Sequence, residues 1–492
     1  MTFFLAAIIS AAISLVPYPH FLKEEKGCCD RELLSSARQV EKASLAPEEY
    51  EIRIRPNGVT VKASSPAGFF YASRTLEQLS LIGDKIPCMR IKDKPRFAYR
   101  GVLLDCARHY YSVDEIKKFI DILAFHKVNR FHWHLTDDHA WRLEIRRYPR
   151  LVEVGAFGNV GSRADFDPKA PFDVKYEGYY SQEQVREIVK YAQDRFITIV
   201  PEIDMPGHMT AALAAYPFLG CTDGPYQVVT AVKPRGMGLA KDSLCPGRES
   251  TFEFLQNVLL EVMELFPGEY VHVGGDECIK EKWQECPECR ALVDSLGLVA
   301  KEGCTEWEQL EVWMINRVAS FLSAHGRKAI GWDETLNGDL GENITVMSWR
   351  GVETGINAAK RGYDVIMAPV EHCYLDYRQT RNPQEPEAFA GTVTLDDVYS
   401  YDPTMELNSA EASHVIGAQG NVWCNVMGSM QLVEYHLLPR LAALSEVQWC
   451  RSECKDYERF KKSMDTIRNY YDAHGYEYHR GLWDVIGFPP KD

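Results

Sequence analysis

No stretch of this chain is rich in lysine or arginine, and its acids outnumber its bases by 70 to 55, for a formal charge of −15. Nucleic acids and anionic membranes both call for a basic face, so neither is an expected partner. The apolar run from Phe3 to Val16 is too short to span a bilayer. Nor is there a P-loop, a G-x-G-x-x-G, a His-Glu-x-x-His or a G-x-S-x-G segment. Phosphate-loop, dinucleotide, metalloprotease and serine-hydrolase readings therefore have no support.

What is present describes a globular chain: 492 residues, 46% apolar and 25% charged, enough for one large domain and a smaller one. The opening run has the length and composition of a signal-peptide core, with Ser10, Ala11, Ala12 and Ser14 near its end and Pro17 and Pro19 just beyond. No basic residue precedes it. The expectation is a signal peptide over residues 1–16 and a periplasmic or secreted protein; the alternative is that the run packs as the first element of the fold. Fourteen cysteines do not decide the compartment. Cys221 and Cys245 bracket a long Gly/Pro-containing loop and are the expected disulfide. Cys286-Pro-Glu-Cys289 has the spacing of half a zinc site, with Cys278 and Cys304 nearby to complete it. No histidine lies close, so a local disulfide or free thiols are expected there, and no metal.

Residues 49–54 and 59–63 alternate polar and apolar around Pro56-Asn57-Gly58, a hairpin, and Ser65-Pro66-Ala67-Gly68 opens a helix. Together they predict a small α+β domain over residues 17–95. From Phe97 the pattern becomes strand, loop, helix, repeated. Apolar runs at 101–105, 130–135, 197–204, 270–273, 328–333, 346–349, 365–368 and 418–423 read as parallel strands buried on both faces. Ser112 to Glu115 and Ser181 to Gln184 are capping boxes opening intervening helices. Eight strands alternating with helices predict an α/β (β/α)8 TIM barrel over residues 96–492, C-terminal helices included.

The centre of this scheme is Tyr270-Val271-His272-Val273-Gly274-Gly275-Asp276-Glu277, a buried strand that ends in two glycines and two acids. Crowded carboxyl groups do not ionise equally, so one site can supply both an acid and a stabilising anion. Alone, the two acids could equally cap a following helix. Yet Asp105, Arg108, Asp137, Asp138, Asp204, His208, Trp332, Asp333, Trp349, Tyr374, Asp376 and Trp423 also fall at or just after strand C-termini, the rim where barrels build active sites. Three tryptophans and a tyrosine near paired acids point to a sugar, whose apolar faces stack on rings while its hydroxyls take carboxylates and arginine.

Five blocks carry a family resemblance: Tyr99 to Asp105 with Arg108-His109, His134 to Asp138 with Trp141-Arg142, Val200 to His208, His272 to Glu277, and Gly331 to Glu334. They resemble the signature blocks of family 20 glycoside hydrolases, the β-N-acetylhexosaminidases, in order from about Glu49 to Trp449. The resemblance implies exo-acting, retaining removal of terminal N-acetylglucosamine or N-acetylgalactosamine from glycans, without a cofactor. It implies attack by the substrate's own 2-acetamido carbonyl in place of a protein nucleophile. Glu277 would be the acid and then the base, Asp276 would hold the acetamido N–H, and Tyr374 would orient its carbonyl. Trp332, Trp349 and Trp423 would wall the pocket, Arg100 and Asp376 would hold hydroxyls, and His208 with Asp137 or Asp138 would tune Glu277. One departure stands out: Cys424-Asn425 follows Trp423 where the family usually has Thr or Ser and then Glu. A neutral Asn425 removes repulsion toward an anionic substituent, which suggests a preference for 6-sulfated N-acetylglucosamine. Transglycosylation, disaccharide release, or sugar binding without catalysis remain the alternatives.

Overall fold

The computed structural model describes residues 13–160, 174–229, 240–389 and 391–483. The eight apolar runs become eight parallel strands: β1 Tyr99–Asp105, β2 Arg130–His134, β3 Thr198–Met205, β4 Tyr270–Gly274, β5 Lys328–Trp332, β6 Ile344–Ser348, β7 Val365–Met367 and β8 Val415–Val422. Each pairs with its sequence neighbours, and β8 pairs with β1 from Gly417–Tyr99 to Val422–Leu104, which closes a (β/α)8 TIM barrel. Inside it, Tyr99, Leu103, Val200, Ile330, Trp332, Met347 and Ile366 pack together. Helices cover the outside, so the strands are buried on both faces and read in sequence as unbroken apolar runs.

The two expected capping boxes are both closed. Ser112 and Glu115 satisfy each other's backbone amides at the start of Val113–Phe125, and Ser181 and Gln184 do so at Gln182–Gln193. A third, Thr305 with Glu308, opens Glu306–Ala324. Each cap fixes where a rim loop ends and its helix begins. No helix of the described residues is long and apolar enough to cross a membrane.

The chain divides into two compact units, 1–96 with 449–476, and 97–448 with 477–492. The final helix Tyr457–His474 therefore groups with the small unit, not with the barrel as its place after β8 suggested. The small unit holds a five-stranded sheet in the order Phe21–Asp30, Lys85–Asp93, Tyr50–Arg55, Gly58–Ala63, Arg38–Glu41. The hairpin of the sequence forms its middle, and Ser65 caps helix Pro66–Ser80 by accepting from Gly68 N–H. Trp449 Nε1–H donates to Asp93 Oδ1 at 2.9 Å and Tyr50 Oη donates to Asp93 Oδ2 inside this unit.

The signal-peptide boundary at residue 16 needs correction. Residues 1–12 lie outside the described residues, but Ile13, Leu15 and Val16 are buried in the small unit's core. Val16 N–H donates to Gln78 Oε1 at 2.9 Å, and its carbonyl accepts from Gln78 Nε2 at 2.5 Å. Buried backbone groups with specific partners belong to the fold, so residues 13–16 are part of the folded unit.

Candidate active site

The site is built upward from β4. Gly274 and Gly275 have φ of +68° and +95°, a region L-residues avoid, and turn the chain so that Asp276 and Glu277 leave the strand together. A Cβ on Gly274 would lie 1.7 Å from Asp204 Oδ1, and one on Gly275 2.9 Å from Thr335 Cγ2. Two non-glycine residues share the left-handed conformation at this point, Glu277 at φ +47° and His208, beyond β3, at φ +53°. Such geometry costs about 1–2 kcal/mol per residue, and here it aims the two side chains at each other.

His208 stands between two pairs of acids. Its Nδ1 lies 3.4 Å from Asp137 Oδ1 and 3.5 Å from Asp138 Oδ2, and its Nε2 lies 3.6 Å from Asp276 Oδ2 and 3.5 Å from Glu277 Oε2. Burial opposes a charge on His208, but Asp137, with Asp138 and Glu277, outweighs it and holds the imidazolium well above its usual range. Burial raises the Asp276 carboxyl to about 6; Glu202 and Glu277 add to the rise and His208 opposes it. The paired acids also differ in reach: the Asp276 side chain is 13% exposed and that of Glu277 40%, so Glu277 is the one open to an incoming group.

Beneath them lies a platform that sequence reading did not assign. Glu202, fully buried on β3, is 3.0 Å from His132 Nε2 and 2.9 Å from His272 Nδ1, contacts His134 Nδ1, and accepts from Trp332 Nε1–H at 3.0 Å. Burial would neutralise it, yet the three histidines keep it well below the usual carboxylate range. His134, pushed down by burial but up by Glu202 and Asp137, rises to about 10. Its Nε2 meets Asp137 Oδ2 at 3.0 Å. The signal was available: 132 with 134 on β2, and 202 with 204 on β3, are alternate positions that face the barrel interior together.

Arg100 requires the clearest correction. It is the second residue of β1, at the end away from the acids, about 17 Å of strand before Asp105. Its guanidinium donates to the carbonyls of Lys127 and Phe97 at 2.9 Å each. The arginine at the rim is Arg108, 3.3 Å from Asp105 Oδ2 and 2.7 Å from Asp137 Oδ2, with its guanidinium 5.3 Å from the Trp423 ring centroid.

The aromatic residues gather around this centre. Trp332 is almost fully buried, its ring 4.8 Å from His272 and 5.9 Å from Trp423. Trp349 stacks on Tyr374 at 6.1 Å, and its Nε1–H donates to Glu334 Oε2 at 3.0 Å. Burial, with Asp276 and Asp333, raises Glu334 well above the usual range. Asp333 instead anchors the turn after β6, accepting from Ser348 Oγ and the amides of Trp349 and Arg350. Asp376 is fully buried with no hydrogen bond of good geometry on either oxygen, and burial lifts its carboxyl to about 8. Asn425 is buried, and the amide of Cys424 donates to Asp105 Oδ2 at 3.1 Å.

The expected Cys221–Cys245 disulfide is not formed. Both are free thiols, and their sulfurs converge with those of Cys286 and Cys289 instead of pairing. Cys278 and Cys304 stand outside that group of four.

Residues 97–452 match the glycosyl hydrolase family 20 catalytic domain, and residues 12–94 match family 20 domain 2. A β-hexosaminidase of Porphyromonas gingivalis is 42% identical over 91% of this chain, which spans only 57% of that relative's length. A β-hexosaminidase of Akkermansia muciniphila is 31% identical over 94% of this chain and 91% of its own. In structure, the chain resembles the exo-β-N-acetylglucosaminidase of Vibrio harveyi bound to N-acetylglucosamine, with a TM-score of 0.84 and 28% identity over 96% of this chain and 78% of that one. The chain belongs to glycosyl hydrolase family 20.

Proposed function

We propose that this protein is an exo-acting, retaining β-N-acetylhexosaminidase that removes terminal β-linked N-acetylhexosamine from glycans with the substrate's acetamide as nucleophile. The observation that carries the reading is His208 set between Asp137/Asp138 and Asp276/Glu277, with Glu277 the more exposed acid. The bound N-acetylglucosamine of the Vibrio harveyi relative supports the choice of sugar.

In the first step the acetamido carbonyl oxygen attacks the anomeric carbon as Glu277 protonates the departing glycosidic oxygen. Asp276, as an anion, accepts from the acetamido N–H and offsets the positive charge of the oxazolinium-like intermediate. Tyr374 orients the carbonyl. Water then attacks the anomeric carbon from the face the leaving group vacated, Glu277 takes its proton, and the acetamide is restored with retained configuration. The attacking group is intramolecular, so its effective concentration is large. Trp332, Trp349 and Trp423 wall the sugar, and Asp376 and Arg108 supply the acceptor and donor for its hydroxyls. Asn425, where an acid is usual, is neutral and does not repel a 6-sulfate.

The test is hydrolysis of an aryl N-acetylglucosaminide beside the matching aryl glucoside. Cleavage of the first alone supports acetamide participation; cleavage of both points to a protein nucleophile, and of neither to a sugar-binding protein. For the sulfate preference, wild type should exceed Asn425→Glu on the 6-sulfated aryl sugar. Turnover of the unsulfated sugar by the wild type equal to or better than that by Asn425→Glu removes that part.

A further inference from the structure

We propose that Cys221, Cys245, Cys286 and Cys289 bind a structural zinc ion that fastens the loop after β3 to the loop after β4. The four sulfurs all lie within 4.8 Å of one another. Cys245 Sγ is 3.5 Å from Cys289 Sγ and 3.8 Å from Cys286 Sγ, and Cys221 Sγ is 3.7 Å from Cys289 Sγ. A zinc ion with bonds of about 2.3 Å to four tetrahedral sulfurs sets those sulfurs about 3.8 Å apart. A disulfide sets them about 2.05 Å apart. Cys245 and Cys289 are each close to two other sulfurs, as a shared central ion requires and a pairwise bond does not.

The surroundings are those of a closed structural site. Three of the four cysteines are buried and Cys221 is half-buried. Trp283, Val293 and Leu310 pack around them, with Trp307 and Trp313 at the edge. Trp283 Nε1–H donates to the carbonyl of Leu244 at 2.9 Å, fixing the residue before Cys245. Cys286 stands at the N-terminal boundary of helix Pro287–Leu296 and Cys289 sits in its first turn, where the helix dipole favours thiolates. A Cβ on Gly247 would meet Cys289 N at 2.6 Å, so the Cys-Pro-Gly turn at 245–247 presses directly on the Cys-Pro-Glu-Cys turn. Binding releases the thiol protons and leaves a site of formal charge −2, with Arg248 close to Cys245 as the nearby cation. Glu288 Oε2 lies 3.2 Å from Cys286 Sγ, and Arg248 Nη2 sits 3.5 Å from its other oxygen.

The ion would act on geometry and take no part in the reaction. Cys221 and Cys245 lie on the segment that carries His208, and Leu244 N–H donates to the carbonyl of Pro206 at 3.0 Å. Cys286 and Cys289 follow Asp276 and Glu277. One tetrahedral centre thus ties together the loops that follow the neighbouring strands β3 and β4 and carry His208 and the two acids.

The test begins with metal analysis of the full chain as purified, with thiols counted after denaturation in chelator without reductant. About one zinc per chain and all fourteen thiols reactive are expected. Cys245→Ser and Cys289→Ser should lose the zinc, and Cys304→Ser should keep it. If those variants do not fold, wild type is stripped with a mercurial and a chelator: Tm should fall by several degrees and recover on adding zinc. Cobalt refilling should give the intense bands of a tetrahedral thiolate site. Disulfides among the four, free thiols without metal, or iron in place of zinc would each overturn the proposal.

Discussion

Replacing Asp276 by Asn should stabilise the protein while removing its activity, and the size of the gain should depend on pH in a defined way. Burial, reinforced by Glu202 and Glu277 against His208, lifts the Asp276 carboxyl from 3.8 to about 6. A rise of about two pH units corresponds to about 3 kcal/mol of preference for the neutral form. Between about pH 4 and 6 the folded chain holds a proton here that the unfolded chain has released, so folding stability falls as pH rises through that window. Below it both states are protonated and the cost vanishes; above it the full cost remains. Asn is neutral throughout and escapes it. Urea unfolding of both proteins from pH 4 to 8 should show the Asn variant gaining up to about 3 kcal/mol by pH 6 and holding that gain at pH 8. In parallel, kcat/KM of the wild type should decline below about pH 6 as Asp276 is protonated in the free enzyme. An Asn variant less stable than wild type at pH 7, or a difference that does not change between pH 4 and 6, would refute the reasoning.

The two arginines of the first strand region should separate cleanly. Arg108→Lys should cut kcat/KM at least tenfold with a small change in Tm, whereas Arg100→Lys should lower Tm and leave KM close to wild type, both read by steady-state kinetics and thermal melts. Gly274→Ala, whose Cβ would meet Asp204 Oδ1 at 1.7 Å under a φ of +68°, should cost about 3 kcal/mol or more and be recovered as insoluble or inactive protein. A chain starting at Pro17 loses the Val16–Gln78 pair and the buried Ile13 and Leu15, and should melt several degrees below one starting at Ile13.

The barrel was legible because its strands are buried on both faces, which writes each as a short apolar run, and because the closing capping boxes mark the helix starts. The small sheet was half legible. Its central hairpin alternates, but Phe21–Asp30 is a charged strand with no clean period, and its partner Lys85–Asp93 lies across a helix. The role given to Arg100 came from the resemblance alone: it precedes the apolar run, and the strand's polarity, which already put Arg108 at the rim, sets Arg100 at the opposite end. The cysteines failed on distance in sequence. Spacing identifies Cys286 and Cys289 as a pair, but nothing local says that Cys221 and Cys245 come from a different loop to meet them.

The protonation of the upper site follows from the lower one. Glu202 remains an anion in the barrel interior because His272, His134 and His132 surround it, and His134 rises to about 10 against its burial because it faces both Glu202 and Asp137. Asp137, held well below the usual range chiefly against its burial by Arg108 and His208, then fixes the imidazolium of His208. The sign of charge therefore alternates from Glu202 through His134, Asp137 and His208 to the acids of the rim. Removing the charge at any inner position transfers an uncompensated charge to the next, in a place where desolvation makes it expensive. Glu202→Gln should consequently disturb the pH profile of catalysis although it never reaches the sugar. Its effect should exceed that of changing His132, which burial already holds neutral with its midpoint near 4.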